Sequence, residues 1–427
     1  MKAYKSMSKE ELKALRDELE AAYVDAKGKG LNLNMARGKP GKDQLDMVKG
    51  MLNVVNEDTS LITSSGIDTR NYGELTGIPE AQKLMADLIG VPADQVIVFG
   101  NASLPIMYDT VARSYAFGVN GSTPWCKLDK VKFLCPVPGY DRHFAITEQF
   151  GIEMIAIPMD EEGPDMDMVK EYVEKDATVK GIWCVPKYAN PTGITYSDRV
   201  VKAFASLKPA AEDFRIFWDN AYAIHDLYED DKDELLEILS ECKKAGNENM
   251  VYEFCSTSKV SYAGAGVAAM ASSAENLAWV KKTMTIQTIG YDKINQLRHV
   301  LYFKDAAGVH AHMSKHAAIL RPKFEAVLEC FDKELADLDI ASWTKPKGGY
   351  FISFMAMEGC AKEIVAKCKE AGVTLTGAGA TYPYGKDPKD SNIRIAPSFP
   401  SADEMKQAAE IFALCVKLVT VNHLLAE

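Results

Sequence analysis

Three short segments hold residue types that could act together on one cofactor. Ser256-Thr257-Ser258-Lys259 sets an amine beside hydroxyls, and the small residues of AGAGVAA that follow make its neighbourhood tight. An amine so placed can form a Schiff base with an aldehyde. Asp219-Asn220-Ala221-Tyr222 sets a carboxylate three residues ahead of a phenol, and Tyr188-Ala189-Asn190-Pro191-Thr192-Gly193 is a turn-forming cluster that carries an amide. Taken singly, SxSK is a weak signal, the aspartate reads equally as a helix N-cap, and the third segment as a plain turn. Together they supply an amine, an acid that keeps a pyridine nitrogen protonated, and donors to a ring phenolate. Those are the requirements of pyridoxal 5'-phosphate (PLP) chemistry.

Each of the three lies just after a short apolar run rich in β-branched and aromatic residues: GIWCV at 181–185, RIFW at 215–218 and VYEFC at 251–255. Similar runs stand at 96–99 (VIVF), 131–135 (VKFLC) and 154–157 (MIAI), separated by helix-length polar segments. This alternation predicts an α/β protein with a mostly parallel sheet flanked by helices. Ligands of such sheets collect beyond the carboxyl ends of the strands, where these residues fall. From about Lys315 the pattern changes to long helical stretches with strand-like pieces at 350–354 and 392–395. We read residues 46–314 as a large domain, and residues 1–45 with 315–427 as a smaller α+β domain. The N-terminal part opens on a helix: Ser8 and Glu11 have capping-box spacing, and Leu12, Leu15, Leu19, Ala22 and Tyr23 recur at helical spacing up to Gly28-Lys29-Gly30.

Composition excludes several classes of function. Of 427 residues, 49 are Lys or Arg and 60 are Asp or Glu, and the resulting charge of −11 repels phosphate backbones and anionic membranes. The expected partners are therefore small molecules, with no nucleic acid and no membrane. No uninterrupted apolar run reaches the roughly 20 residues of a membrane span, and MKAYKSMSKEELK lacks the apolar centre of a signal peptide, which predicts a cytoplasmic protein. The nine cysteines form no CxxC and no ligand-like cluster with histidine. They read as reduced thiols packed in the core, with no metal site.

With Lys259, Asp219, Asn190 and Tyr222 in order behind three predicted strands, the sequence resembles the class I/II aminotransferases of PLP-dependent fold type I. The resemblance runs from Arg37-Gly38-Lys39-Pro40 to the tail. It implies that Lys259 holds the cofactor, that Asp219 serves the ring nitrogen, and that Asn190 and Tyr222 serve the ring oxygen. The Arg37–Pro40 segment resembles the family's loop over the substrate, with Gly38 at its centre. Asn71-Tyr72-Gly73 resembles the segment whose tyrosine reaches the phosphate of the neighbouring subunit's cofactor, which implies a homodimer with shared active sites. Gly100-Asn101-Ala102-Ser103 opens a helix where backbone N–H groups favour a phosphate, with Ser256 and Ser258 as further donors. Tyr140 falls where the family stacks an aromatic ring on the pyridine, and His143 where a histidine supports the ring-nitrogen aspartate. By themselves these two would read as a core tyrosine and a surface histidine. Arg394, in Asn392-Ile393-Arg394-Ile395-Ala396-Pro397, resembles the arginine that clamps the substrate α-carboxylate through two parallel bonds.

One position departs from the family pattern. Eight residues after the lysine the family has a phosphate-binding arginine, and here Val267 stands there. With SKVSYAGAG and IGYDKINQLRH around it, the chain is most similar to the divergent bacterial aspartate aminotransferases called subgroup Ic, related to the aminotransferase domain of MocR-type regulators. The resemblance implies a ping-pong transaminase acting on L-aspartate and 2-oxoglutarate. The competing readings are an aminotransferase for aromatic amino acids, alanine or 2-aminoadipate, a PLP lyase on the same fold, and a non-catalytic sensor domain. For a second substrate carboxylate the candidates are Arg37 and Lys39 in the loop, and Lys293 and Arg298 in the DKINQLRH segment. Each of these also reads as an ordinary surface charge.

Overall fold

The computed structural model describes residues 3–426. Its central sheet has seven strands: β1 (Val96–Val98), β2 (Lys132–Val137), β3 (Glu153–Pro158), β4 (Val179–Cys184), β5 (Arg215–Asp219), β6 (Val251–Ser256) and β7 (Ala268–Ala271). Their spatial order is β1-β7-β6-β5-β4-β2-β3. All neighbours pair in parallel except β7, which runs antiparallel to both β1 and β6. Six strands coincide with the predicted apolar runs. The seventh, Ala-Ala-Met-Ala, is built of residues with little strand preference; it is paired on both edges, and its side chains are buried in the cores on the two faces.

Side chains alternate across the sheet and both faces are covered. Ile182, Cys184, Ile216 and Trp218 enter one apolar cluster, while Trp183, Phe217, Tyr252 and Phe254 enter the other. Burial on both faces is why these strands read as continuous apolar runs.

A second sheet, of three antiparallel strands, comprises β8 (Ala341–Trp343), β9 (Ile352–Ala356) and β10 (Asn392–Ile395), with β9 central. Helix α1 (Lys9–Gly28) starts with the predicted capping box: Ser8 Oγ accepts from the Glu11 N–H, and the Glu11 carboxylate accepts from the Ser8 N–H. Leu12, Leu19 and Tyr23 face inward as predicted, but Ala22 points to solvent and Ala26 takes the inner position, as 3.6-residue spacing from Leu19 and Tyr23 requires. The apolar face of α1 joins one core with the long helix Ala306–Leu335 and the C-terminal helix Ala402–Ala426. That last helix is long and apolar enough to cross a membrane, yet its length and composition are also those of a core helix, and most of its apolar residues are packed inside. Leu33–Asn34 pairs in parallel with Val373–Thr374, which fixes the start of the Arg37–Pro40 loop. None of the nine cysteines is in a disulfide, and eight are buried as expected. Cys126 is the exception, exposed in a short turn after Pro124.

Candidate active site

Beyond the carboxyl ends of β4, β5 and β6 lies a cavity of about 640 Å³, closed on its other side by residues of the Arg37 loop, Phe351, Thr376 and Arg394. Lys259 sits in the turn directly after β6 and lines it. Its Nζ lies 4.9 Å from the centre of the Tyr222 ring and 5.9 Å from that of Tyr350. Burial lowers the pKa of this ammonium, and the nearby negative charge of Asp219 opposes the shift. Desolvation thus favours the neutral amine, the nucleophilic form.

Asp219 ends β5 and is buried, so it is a strand residue and not a helix cap. Its Oδ2 lies 2.9 Å from His143 Nε2, while its Oδ1 is enclosed without a hydrogen-bond partner. His143 is far from a surface residue at 1% exposure, and its ring stacks on Trp183 with centroids 4.4 Å apart. An enclosed carboxylate oxygen without a donor is costly unless something brings one. A protonated ring nitrogen is such a donor. Tyr140 lines the cavity at the N-cap of the helix Asp141–Gln149, with its ring 4.9 Å from that of His143. Burial holds the Tyr222 hydroxyl well above its ordinary pKa, so it stays a proton donor.

At the other end, Arg394 projects from β10. Its Nη1 donates to Asp141 Oδ1 at 2.9 Å and to Asn190 Oδ1 at 3.3 Å, and its Nη2 donates to Thr376 Oγ1 at 3.2 Å. The guanidinium lies over the Phe351 ring at 5.0 Å. Gly38 packs so closely on this ring that an added Cβ would stand 2.2 Å from Phe351 Cζ. The loop can therefore approach the cavity only with glycine there.

The helix Ser103–Phe117 begins at the cavity, and its N-cap, Ala102, makes no side-chain cap bond, so its first N–H groups stay available. Ser258 Oγ lies 3.1 Å from Ser256 Oγ and 3.2 Å from the Asn101 carbonyl oxygen, on the same wall. Val267 is buried, and its N–H donates to Thr257 Oγ1 at 2.9 Å, so it binds no ligand. An amine, a buried carboxylate with one unpartnered oxygen, a phenol, two serine hydroxyls and an uncapped helix N-terminus around one cavity are the donor set PLP needs.

Four predicted residues stand apart from this cavity or behind it. His143 lies behind the cavity wall and meets Asp219 Oδ2. Tyr72 is 83% exposed and touches nothing in the site. Lys293 is a buried residue, not a surface charge, and its Nζ donates to the Gly73 carbonyl at 3.0 Å, which ties it to the Tyr72 segment. Arg298 is half-buried and bonds Asn295. Sequence reasoning missed Asp141 and Arg142, which both line the cavity. The signal was available, since both lie between Tyr140 and His143 in a segment already read. Arg142 also borders an adjoining groove with Leu104, in the first turn of the Ser103–Phe117 helix.

A mostly parallel seven-stranded sheet with a lysine, an aspartate and an arginine converging on one cavity is the architecture of fold-type-I aminotransferases. The family model described as aspartate amino-transferase matches residues 7–427, and the chain belongs to that family. An aspartate aminotransferase of Corynebacterium glutamicum is 46% identical over 415 residues, covering 97% of this chain and 95% of the relative. The crystal structure of an aspartate transaminase from the same organism superposes with a TM-score of 0.96 at 45% identity, covering 99% of each chain. An alpha-aminoadipate aminotransferase from Thermus thermophilus, solved with N-(5'-phosphopyridoxyl)-L-leucine, shares the fold at 19% identity and a TM-score of 0.72, covering 94% of this chain and 95% of that one. The protein is a transaminase.

Proposed function

We propose that the protein transfers the amino group of L-aspartate to 2-oxoglutarate in a ping-pong cycle, with PLP held on Lys259. The observation that carries this reading is the pairing of Lys259 and the unpartnered Asp219 oxygen at one end of the cavity with Arg394 at the other. The preference for aspartate rests on the family and on the Corynebacterium relatives. When bound, the cofactor supplies an electron sink for the pair left on the substrate Cα.

The residues around it have separable tasks. Asp219 keeps the ring nitrogen protonated, and His143 orients Asp219. Asn190 and Tyr222 donate to the ring oxygen, while Tyr140 covers the ring face. Ala102, Ser103, Ser256 and Ser258 hold the phosphate. With its amine freed by the substrate amine, Lys259 would be the base that takes the Cα proton. Arg394 grips the α-carboxylate, which takes the position Asp141 holds in this structure. For the second carboxylate, the cavity offers Arg37 and Lys39 from the sequence candidates and adds Arg142. Arg142, which lines the same cavity as Ala102 and Ser103, is also the candidate counter-charge to the phosphate in place of the family's arginine. Lys293 and Arg298 could reach a site only across a subunit boundary.

The test is a panel of amino acids assayed with 2-oxoglutarate. Aspartate should exceed alanine in kcat/KM by at least about 30-fold, as a closed site leaves a missing carboxylate's partner unpaired at a cost of roughly 2–5 kcal/mol. Alanine as the better donor would overturn the assignment. Turnover without any oxo acid would favour a lyase.

We further propose a homodimer in a reducing cytoplasm, the latter supported by nine cysteines of which none is in a disulfide. Tyr72, Ile286 and Ile289 are 83%, 90% and 60% exposed, and the Tyr72 segment meets the second one where Gly290 packs on the Gly73 carbonyl. Isolated apolar side chains are ordinary on a surface, but a group on adjoining segments calls for a cover. Ile286→Asp with Ile289→Asp should shift sedimentation from dimer to monomer and lower turnover at least about tenfold. An active wild-type monomer would reject the shared site.

A further inference from the structure

A second cavity, of about 110 Å³, lies on the opposite face of the sheet from the Asp219–His143 pair, between β5, β6 and the segment Glu234–Ile238. Its wall carries Glu253 on β6 and Asn220, the residue after Asp219. Both are at least nine-tenths buried. Asn220 Nδ2 donates to Glu253 Oε1 at 2.8 Å, which leaves Glu253 Oε2 and Asn220 Oδ1 enclosed with no partner. Two buried acceptor oxygens on one cavity wall need something that offers positive charge or protons.

The other charges nearby do not supply it. Lys187 lines the cavity, but its ammonium already donates to Asp226 Oδ1 at 2.9 Å and to the Ala223 carbonyl at 3.0 Å. Glu237 adds negative charge, although both its oxygens accept from the N–H groups of Leu239 and Ser240. The Glu234 side chain is 83% exposed and turns to solvent. Burial, with Glu237 nearby, raises the Glu253 carboxyl to about 8, as expected of an acid that lacks a counter-charge.

We propose that this cavity is a binding site for a monovalent cation, potassium or ammonium, coordinated by Glu253 Oε2 and Asn220 Oδ1. The single carboxylate balances the charge of one monovalent ion, whereas a divalent ion would be left with a net charge beside buried groups. The space accepts one ion with two or three waters. An ion there grips Asn220 and so steadies the end of β5, from which Asp219 reaches the opposite face.

The holoenzyme, dialysed into tetramethylammonium chloride, is titrated with KCl, NH4Cl, NaCl or choline chloride at constant ionic strength while the melting temperature is read. Potassium or ammonium should raise it saturably, by about 3 °C at a hundredfold excess over Kd. Glu253→Gln removes the charge and should abolish the rise. An equal response to choline, or a full response in Glu253→Gln, would overturn the proposal in favour of a water-filled space. Should that variant fail to fold, crystals of the wild type soaked in thallium(I) decide the matter: an anomalous peak bridging Glu253 and Asn220 supports the site, and its absence rejects it.

Discussion

Replacing Lys259 by alanine is expected to lower aspartate-dependent turnover at least about 10⁴-fold, because in the proposed cycle one side chain both holds the cofactor and moves the Cα proton. The loss should be nearly all in kcat, since Arg394 and the Arg37 loop still bind the substrate. Folding should be almost untouched: Lys259 is half-buried in a turn after β6, where its Nζ lies near the Tyr222 and Tyr350 rings and the Asp219 charge. The matching experiment on the wild type is borohydride reduction of the holoenzyme followed by peptide mapping. A label on any other lysine, or a Lys259→Ala variant within tenfold of the wild type, would remove Lys259 from the mechanism. A fall in melting temperature large enough to account for the lost activity would point to a structural role.

Asp219→Ala should cost about 10³-fold in turnover while leaving the variant able to bind cofactor through Lys259. The two effects separate because the carboxylate acts at the ring nitrogen, at the far side of the ring from the lysine. Absorption spectra of the variant report retained cofactor, and steady-state rates report the loss. The structure adds a refinement: Asp219 Oδ2 is held by His143, which stacks on Trp183. Asp219→Asn keeps that shape but removes the negative charge, so it should fail nearly as badly as alanine. Activity restored in Asp219→Asn would mean that shape and not charge is what the ring nitrogen requires.

Much of this site was legible in the sequence because each chemical group directly follows a strand. Strands buried on both faces are apolar runs bounded by turns, so Lys259, Asp219 and Asn190 could be placed at carboxyl ends before any geometry was known. Arg394, within a predicted strand, was found by its motif. What stayed hidden depends on neighbours distant in the chain. β7 is recruited by β1 and β6 without strand-forming residues of its own. His143 reads as a surface residue until Asp219 and Trp183 close around it. Asp141 becomes meaningful only when Arg394, 253 residues later, meets it at 2.9 Å. Lys293 was a candidate as a cation of the DKINQLRH segment, and the segment alone cannot show that its ammonium is taken by the Gly73 carbonyl. Glu253 was invisible because a single acid within VYEFC looks like an interruption of a strand.

The pairing of Leu33–Asn34 with Val373–Thr374, and the packing of α1 on the helix Ala402–Ala426, bear on the order in which a growing chain can complete itself. Residues 96–271, which build the whole central sheet and carry Asp219 and Lys259, leave the ribosome well before the strand and helix that hold Arg37 and Gly38 in place. Domains fold as they emerge. A nascent chain therefore has its sheet and its cofactor residues out first and waits for residues 373–426 before the substrate loop is anchored, so chemistry on an amino acid begins only after that stretch has been made.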